Sequence, residues 1–327
     1  MAAGVSILVC SYNGAKRLPK TLEHLALQHV PADILWEVIV VDNASTDDTT
    51  GIAKSEWAKY RLPRVGFSVL QELNPGKNNA LDKGINNALY DYILICDDDN
   101  WLNADYIEKA YRIMQSDDRI GAAGGQGIGV SDVEFPAWFK NDGYAYAVGK
   151  QNPVSGDISA KKYLWGAGMI FRKSLYIKAY SKSPSLLSGP QKDLVTRGED
   201  VEFCLRLLIL GYTLFYDDSL MYQHYIPQNR LTDNYRKKLM SGFEDEAYIL
   251  YLYSKMMTIT HLNPFRKLMA LFSGATRYLI TKIYPNKRWS TAYESEGIYL
   301  LTGIELGQIS IESKRIKNIF LQLTAVS

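Results

Sequence analysis

Three consecutive carboxylates, Asp97, Asp98 and Asp99, follow directly on the apolar run Tyr92 to Cys96. A short continuous apolar run of this kind reads as a buried strand, so the carboxylates stand at a strand's carboxyl end. Adjacent negative charges repel, and a fold that crowds them loses free energy unless cations or hydrogen-bond donors compensate. Carboxylate oxygens are the preferred ligands of Mg2+ and Mn2+, and ions held in this way commonly bridge to substrate phosphates. The plainer alternative is a solvated acidic turn that caps the next helix. A second acidic pair, Glu199-Asp200, precedes the helical spacing of Val201, Cys204, Leu205, Leu208 and Ile209. Acidic residues in a first turn complement the helix dipole. A carboxylate there can also serve as general base toward a hydroxyl, which is a poor nucleophile until its proton is removed.

The elements that position these groups alternate. Strands are expected at Val5 to Cys10, Trp36 to Val41, Val65 to Leu70, Tyr92 to Cys96, Ile120 to Gly124 and Tyr212 to Tyr216. Between them, helical spacing runs over Lys16 to Gln28, from Ser45 or Thr46 (as N-cap, with Asp47 and Asp48 in the first turn) to Lys59, over Asn79 to Ala88, and over Ala104 to Gln115. This alternation predicts an α/β fold with a mostly parallel, doubly wound sheet. In such sheets ligands bind in the crevice outside the carboxyl ends of the strands. Polar residues converge there. Tyr12, in Ser11-Tyr12-Asn13-Gly14, can lay its ring on a base; Asp42 can accept from a base N–H or a ribose hydroxyl; Lys77, after Asn74-Pro75-Gly76, can meet a diphosphate. Taken singly each has an ordinary reading as turn, cap or surface charge. Residues 125–162 lack periodicity and are rich in glycine and aromatics. Trp138, Tyr144, Tyr146 and Trp165 offer flat ring faces, although aromatics of this kind are more often core, and Gly166 allows close backbone approach. Residues 181–197 read as a polar loop.

The runs Val-Ser-Ile-Leu-Val-Cys-Ser-Tyr-Asn, Glu-Val-Ile-Val-Val-Asp-Asn-Ala-Ser-Thr-Asp, Asn-Pro-Gly-Lys and Ile-Leu-Ile-Cys-Asp-Asp-Asp together resemble family 2 glycosyltransferases. The resemblance covers roughly residues 4 to 226. It implies a GT-A fold, a nucleotide-sugar donor, most commonly a uridine one, and a divalent metal, Mn2+ or Mg2+. Ser11, Tyr12, Asn13, Asp42, Asn74, Gly76 and Lys77 would then line the donor site, with Tyr12 and Asp42 on the base. Asp97 and Asp98 would lie along the nucleotide. Asp99 would be the direct metal ligand, and His224 would complete the coordination, although a lone histidine is more often structural. Asp200 would be the base of an inverting transfer, with Glu199, Trp165 and Gly166 on the acceptor side. The chain departs from the family pattern in Ala80-Leu81-Asp82-Lys83-Gly84-Ile85, where Leu81 stands in place of the usual arginine; Lys77 and Lys83 are the cations able to substitute.

Composition narrows the classes. The 327 residues are 47% hydrophobic and 22% charged, the balance of a folded globular chain, and the net charge of +2 gives no drive toward nucleic acid. Three cysteines, Cys10, Cys96 and Cys204, lack metal-ligand spacing and suggest buried thiols in a reducing cytoplasm. The N-terminus does not read as a signal peptide. An oxidoreductase would need Gly-x-Gly-x-x-Gly after the first strand, and a sugar nucleotidyltransferase a glycine- and cation-rich loop; neither is present. A non-catalytic binding module remains the other rival. Organisation is expected as 1–230 catalytic, with nucleotide-sugar and acceptor halves meeting near 115, and 231–327 helical. Between Ala247 and Tyr293 there is no Asp or Glu, while Lys255, Arg266, Lys267, Arg277, Lys282, Lys287 and Arg288 are present. Within Pro264 to Tyr284, Phe265, Leu268, Met269, Phe272, Leu279 and Ile283 share one face, and Arg266, Ser273 and Arg277 the other. Two readings are open: a helix lying on an anionic membrane surface, at the inner face of the cell membrane and suiting a lipid-linked glycan acceptor, or a helical hairpin packed on the catalytic domain or on a second subunit.

Overall fold

The computed structural model describes residues 2–187, 198–283 and 291–325. The chain divides into two compact units, residues 1–246 and 247–327. The first begins with β1 (Ala2–Ser11), α1 (Leu18–Ala26), β2 (Leu35–Asn43), α2 (Thr49–Ala58), β3 (Gly66–Glu72), α3 (Lys77–Asn87) and β4 (Tyr90–Ile95). It continues through β5 (Asn100–Leu102), α4 (Tyr106–Ser116), β6 (Ile120–Val130), the single turn α5 (Phe139–Asp142), β7 (Gly156–Asp157), β8 (Ile170–Arg172), α6 (Lys173–Tyr180), α7 (Glu199–Ile209) and β9 (Thr213–Tyr225). The strands form one sheet in the order β3-β2-β1-β4-β8-β6-β9-β5, with β7 paired to β9. β1 pairs parallel with β2 and β4, and β2 with β3. Direction reverses at β8, which is antiparallel to both β4 and β6.

The continuous apolar runs are explained by helices on both faces of the sheet. Val5, Ile7, Val9, Val38 and Val40 pack toward Leu18, Leu22 and Leu25 of α1 and Ile107 and Ala110 of α4. Leu8, Ile39, Val41, Ile93 and Ile95 face the other way, toward Leu81 and Ile85 of α3 and Phe203, Cys204 and Leu207 of α7. Cys96 and Cys204 are buried and Cys10 is half-buried.

Two local expectations change. The N-cap of α2 is Asp48, whose side chain accepts from Gly51 N at 3.2 Å; Ser45 and Thr46 instead bond Asn13. Thr213 opens a strand that runs on to Tyr225 rather than ending at Tyr216. Asp217-Asp218 looks like a break in sequence, but the β6–β9 register slips there and the ladder resumes at Met221. That continuation carries His224 into the sheet, opposite Asn100 of β5.

Beyond β9 the chain is helical, with α8 (Asp233–His261), α9 (Pro264–Ile283), α10 (Thr291–Thr302) and α11 (Ile311–Thr324). Within the second unit Tyr253 of α8 meets Phe320 of α11, and Arg277 of α9 pairs with Glu294 of α10 at 2.9 Å.

Candidate active site at the strand ends

The turn after β1 is fixed by side chains from three strands' ends. Ser11 Oγ donates to Asp98 Oδ2 at 2.5 Å. A Cβ on Gly14 would stand 1.8 Å from Ser11 Oγ and 2.6 Å from Asp98 Oδ2, so glycine is required for this contact to exist. Asn13 adopts a left-handed φ of 50°; its N–H donates to Ser45 Oγ at 3.0 Å and its side-chain oxygen accepts from Thr46 N at 2.8 Å. Asp42 is buried and accepts from Ser45 N at 3.1 Å and Thr50 Oγ1 at 2.6 Å. Asn13 and Asp42 are thus tied together through Ser45, and the Tyr12 carbonyl accepts from Arg17 Nη2 at 3.1 Å. Asn43 supplies a strap across to the next strand end: its amide nitrogen donates to Asn74 O at 2.7 Å and its amide oxygen accepts from Gly76 N at 2.8 Å.

The three adjacent aspartates have three different environments. Asp97 accepts an ion pair from Lys77 Nζ at 3.2 Å, and the same ammonium lies 3.5 Å from Glu199 Oε1. Burial alone would lower the Lys77 ammonium, but Asp97, Glu199 and Asp200 outweigh it and hold its pKa above the usual lysine value. Asp98 is gripped by both arms of Arg17, Nε to Oδ1 and Nη2 to Oδ2, each at 2.8 Å. With Ser11 added, both of its oxygens are taken, so the carboxylate expected along the nucleotide is anchored inside the protein. Asp99 Oδ2 accepts from Arg230 Nη1 at 2.9 Å, and Oδ1 stands 3.5 Å from His224 Nε2. Burial alone would raise Asp99; His224 and the guanidinium groups of Arg230 and Arg17 overcome that and hold it well below the usual carboxylate range.

His224 Nδ1 lies 2.6 Å from Tyr146 O, an acceptor, so Nδ1 carries a hydrogen, and Nε2 is the ring nitrogen that faces Asp99. A carbonyl behind a ring nitrogen is the usual support of a metal-ligating histidine. The neighbouring Asn100 Oδ1 is buried without a hydrogen-bond partner. This donor set fits a divalent cation as two protein ligands. Among the described residues no group of three or more His, Cys, Asp or Glu side chains gathers to hold a metal, so further ligands must come from water or phosphate, as is usual for Mg2+.

Opposite, α7 opens at Gly198, whose φ is +93° and whose Cβ would stand 2.7 Å from Glu246 Oε2 and 2.9 Å from Leu187 Cδ1. Asp200 Oδ2 accepts from Gly166 N at 2.8 Å and Oδ1 from Val201 N at 2.8 Å. Burial raises the Glu199 carboxyl, with Asp200 and Asp97 adding to the rise and Lys77 opposing it. Beneath them Glu202 and Arg206 form a fully buried ion pair at 2.7 Å. Glu202 accepts from Ser185 Oγ, Leu186 N and Leu187 N, and Arg206 donates to the carbonyls of Ala179, Ser183 and Pro184. One buried pair therefore clamps residues 183–187 of the expected loop; residues 188–197 lie outside the described ones. A cleft of about 480 Å3 runs from Lys77, Gly166, Glu199 and Asp200 to Asp82, Tyr176 and Phe203.

Trp165 does not line that cleft. Its N–H donates to Gln151 Oε1 at 2.8 Å, and Lys161 Nζ lies 5.7 Å over its ring. Trp138 and Tyr146 pack in an aromatic cluster with Phe139, while Tyr144 is exposed. Lys83 is exposed on α3 and Leu81 is buried, so of the two lysines it is Lys77 that meets carboxylates of the site, Asp97 and Glu199. Arg17, Asn43 and Arg230 were missed in the sequence; Asn43 alone carried a signal, as the residue after Asp42 at a strand end.

Residues 6–178 match Glycosyl transferase family 2, and the chain belongs to that family. Glu199, Asp200, His224 and Arg230 lie beyond the matched segment. The poly-beta-1,6-N-acetyl-D-glucosamine synthase of Staphylococcus aureus (strain COL) is 24% identical over 232 residues, covering 69% of this chain and 50% of that protein. The putative glycosyltransferase EpsH of Bacillus subtilis (strain 168) is 25% identical over 243 residues, covering 73% and 65%. The chain spans about half the length of the first of these relatives. Two solved structures share the fold: S. aureus TarS 1-349 in complex with UDP-GlcNAc, with a TM-score of 0.50 and 18% identity over 98% of this chain and 81% of that one, and the mannosyltransferase PcManGT from Pyrobaculum calidifontis in complex with GDP-Man and Mn2+, with a TM-score of 0.51 and 17% identity over 99% and 86%. The mixed α/β sheet is thus of the GT-A type.

Proposed function

We propose that this chain transfers a sugar from a nucleotide-sugar donor to a hydroxyl of a glycan or lipid-linked glycan, with inversion at the anomeric carbon. Uridine diphosphate sugars are the first donors to try, as the commonest in the family. The observation that carries the reading is Asp200, held by the Gly166 N–H at the mouth of a cleft whose other walls bear Lys77 and Glu199. A backbone donor fixes the carboxylate without neutralising it, which suits a general base.

In this reading Tyr12, Asn13 and Asp42 receive the base and ribose, and the strapped loop Asn74 to Lys77 borders the diphosphate. Asp99 and His224 would hold Mn2+ or Mg2+, which supplies Lewis-acid neutralisation of the leaving diphosphate when bound. Lys77 and Arg230 add fixed positive charge where that diphosphate gathers electrons. Asp200 removes the acceptor's hydroxyl proton as the oxygen bonds to the anomeric carbon. The anomeric C–O bond to the diphosphate breaks, its electron pair leaves with the diphosphate, and the proton stays on Asp200. One displacement from the face opposite the leaving group inverts the configuration. Glu199 orients the acceptor, with the backbone at Gly166 close by.

A thermal-unfolding panel of nucleoside diphosphates with and without Mn2+ tests the donor site. Binding at 100 times the dissociation constant adds about 2.7 kcal/mol of stability. One nucleotide should stabilise wild type in a metal-dependent way, and Asp99→Asn should lose that dependence. No stabilisation by any nucleotide would contradict the reading.

A further inference from the structure

Helix α9 is built inside out. Phe265, Leu268, Met269, Phe272, Leu279 and Ile283 are 69%, 50%, 54%, 62%, 60% and 68% exposed. At 3.6 residues per turn these six fall within an arc of about 100°, drawn out along about 27 Å of axis. The side of α9 turned toward α10 is small and polar instead. Gly274 is buried there, where a Cβ would stand 3.4 Å from Ile298 Cγ1. Arg277 on that side donates to Glu294 Oε1 at 2.9 Å and to Ser273 Oγ at 2.7 Å, and Thr281 is also buried. A helix at the surface of a soluble domain normally turns its apolar stripe inward. A contiguous exposed stripe flanked by charge marks a docking surface.

Charge decides what docks. From Ala247 to Tyr293 the chain has no Asp or Glu but seven Lys and Arg residues, namely Lys255, Arg266, Lys267, Arg277, Lys282, Lys287 and Arg288. Arg266 and Lys282 are exposed and project about 100° to either side of the stripe's centre. A second copy of this surface would bring like charges together, whereas anionic headgroups complement them. Among the described residues no helix is long and apolar enough to cross a membrane. We propose that α9 lies flat on an anionic phospholipid surface, with the Phe265–Ile283 stripe at the acyl boundary and Arg266 and Lys282 at the headgroup phosphates. The proposal does not rest on the sugar-transfer reading.

Flotation of the full chain with phosphatidylcholine vesicles, with and without about one third phosphatidylglycerol, tests it. The wild-type chain should float with the anionic vesicles, more weakly as salt screens the headgroups. Phe272→Ser with Leu279→Ser should weaken binding by about tenfold per side chain. Arg266→Glu with Lys282→Glu should abolish the preference for anionic over neutral vesicles. All four positions are exposed, so both variants should keep the wild-type circular dichroism and unfolding midpoint. A wild type that stays unbound, or one that floats equally with neutral vesicles, would overturn the proposal. So would a wild-type dimer in sedimentation equilibrium that Phe272→Ser with Leu279→Ser converts to monomer while vesicle binding stays unchanged.

Discussion

Asp98 follows β4 and Asp200 stands in the first turn of α7, and the surroundings of these two carboxylates differ in kind. Asp98 meets a guanidinium through two 2.8 Å bonds and a hydroxyl through a third. Asp200 meets two backbone N–H groups, and among the described residues no cation lies within ion-pair distance of it. A carboxylate has about four acceptor sites, so Asp200 keeps lone pairs for a substrate proton while Asp98 has committed its charge to the fold. Glu202 repeats the Asp98 pattern two residues beyond Asp200, where Arg206 fills it and residues 183–187 are tied on. The closed pairs hold the walls, and the open carboxylates are left for chemistry. Helix α7 carries one of each.

Substitutions should separate the two kinds. Asp200→Asn should lower turnover by roughly 100- to 10,000-fold while nucleotide affinity and the unfolding midpoint stay near wild type. Arg206→Met leaves Glu202 charged and buried, and should cost about 3–5 kcal/mol of stability in denaturant titration. Arg17→Met strands Asp98 in the same way at a less enclosed place, and should cost about 2 kcal/mol, in the range for charged hydrogen bonds. Glu199→Gln should have the smallest effect, and one that depends on pH. Burial holds the Glu199 carboxyl above its ordinary 4.5, so the folded state binds that proton more tightly than the unfolded chain. Its contribution is complete below the unfolded value and is lost as pH rises through the folded one. Wild type should therefore lose more stability than Glu199→Gln as pH is raised from the acid side, read by unfolding midpoints in a buffer series.

The parallel half of the sheet was legible because β1, β2 and β4 are buried on both faces and end in polar residues. Asp97 to Asp99 announced the site for the same reason. Their partners were not legible, since Arg17 and Asp98 are 81 residues apart and Arg230 and Asp99 are 131 apart. Local patterns carry no trace of such pairings. Thus nothing in the local pattern says which of three identical residues in a row meets Lys77, which Arg17 and which Arg230. Trp165 offers a stacking face in the sequence, and an aromatic among glycines reads alike whether it faces a cleft or, as here, a lysine. In α9 the stripe was plain in the periodicity, but periodicity does not say which face packs; Gly274 and Arg277 on the α10 side do.

The most direct test is turnover of wild type and Asp200→Asn on a panel of nucleotide sugars with Mn2+ and a hydroxyl acceptor, read as nucleoside diphosphate released. The account predicts that wild type turns over one donor to a product of inverted anomeric configuration, and that Asp200→Asn loses at least about 100-fold while still being stabilised by the matching nucleotide. Equal turnover by the two proteins, or a product that retains the donor's configuration, would contradict it.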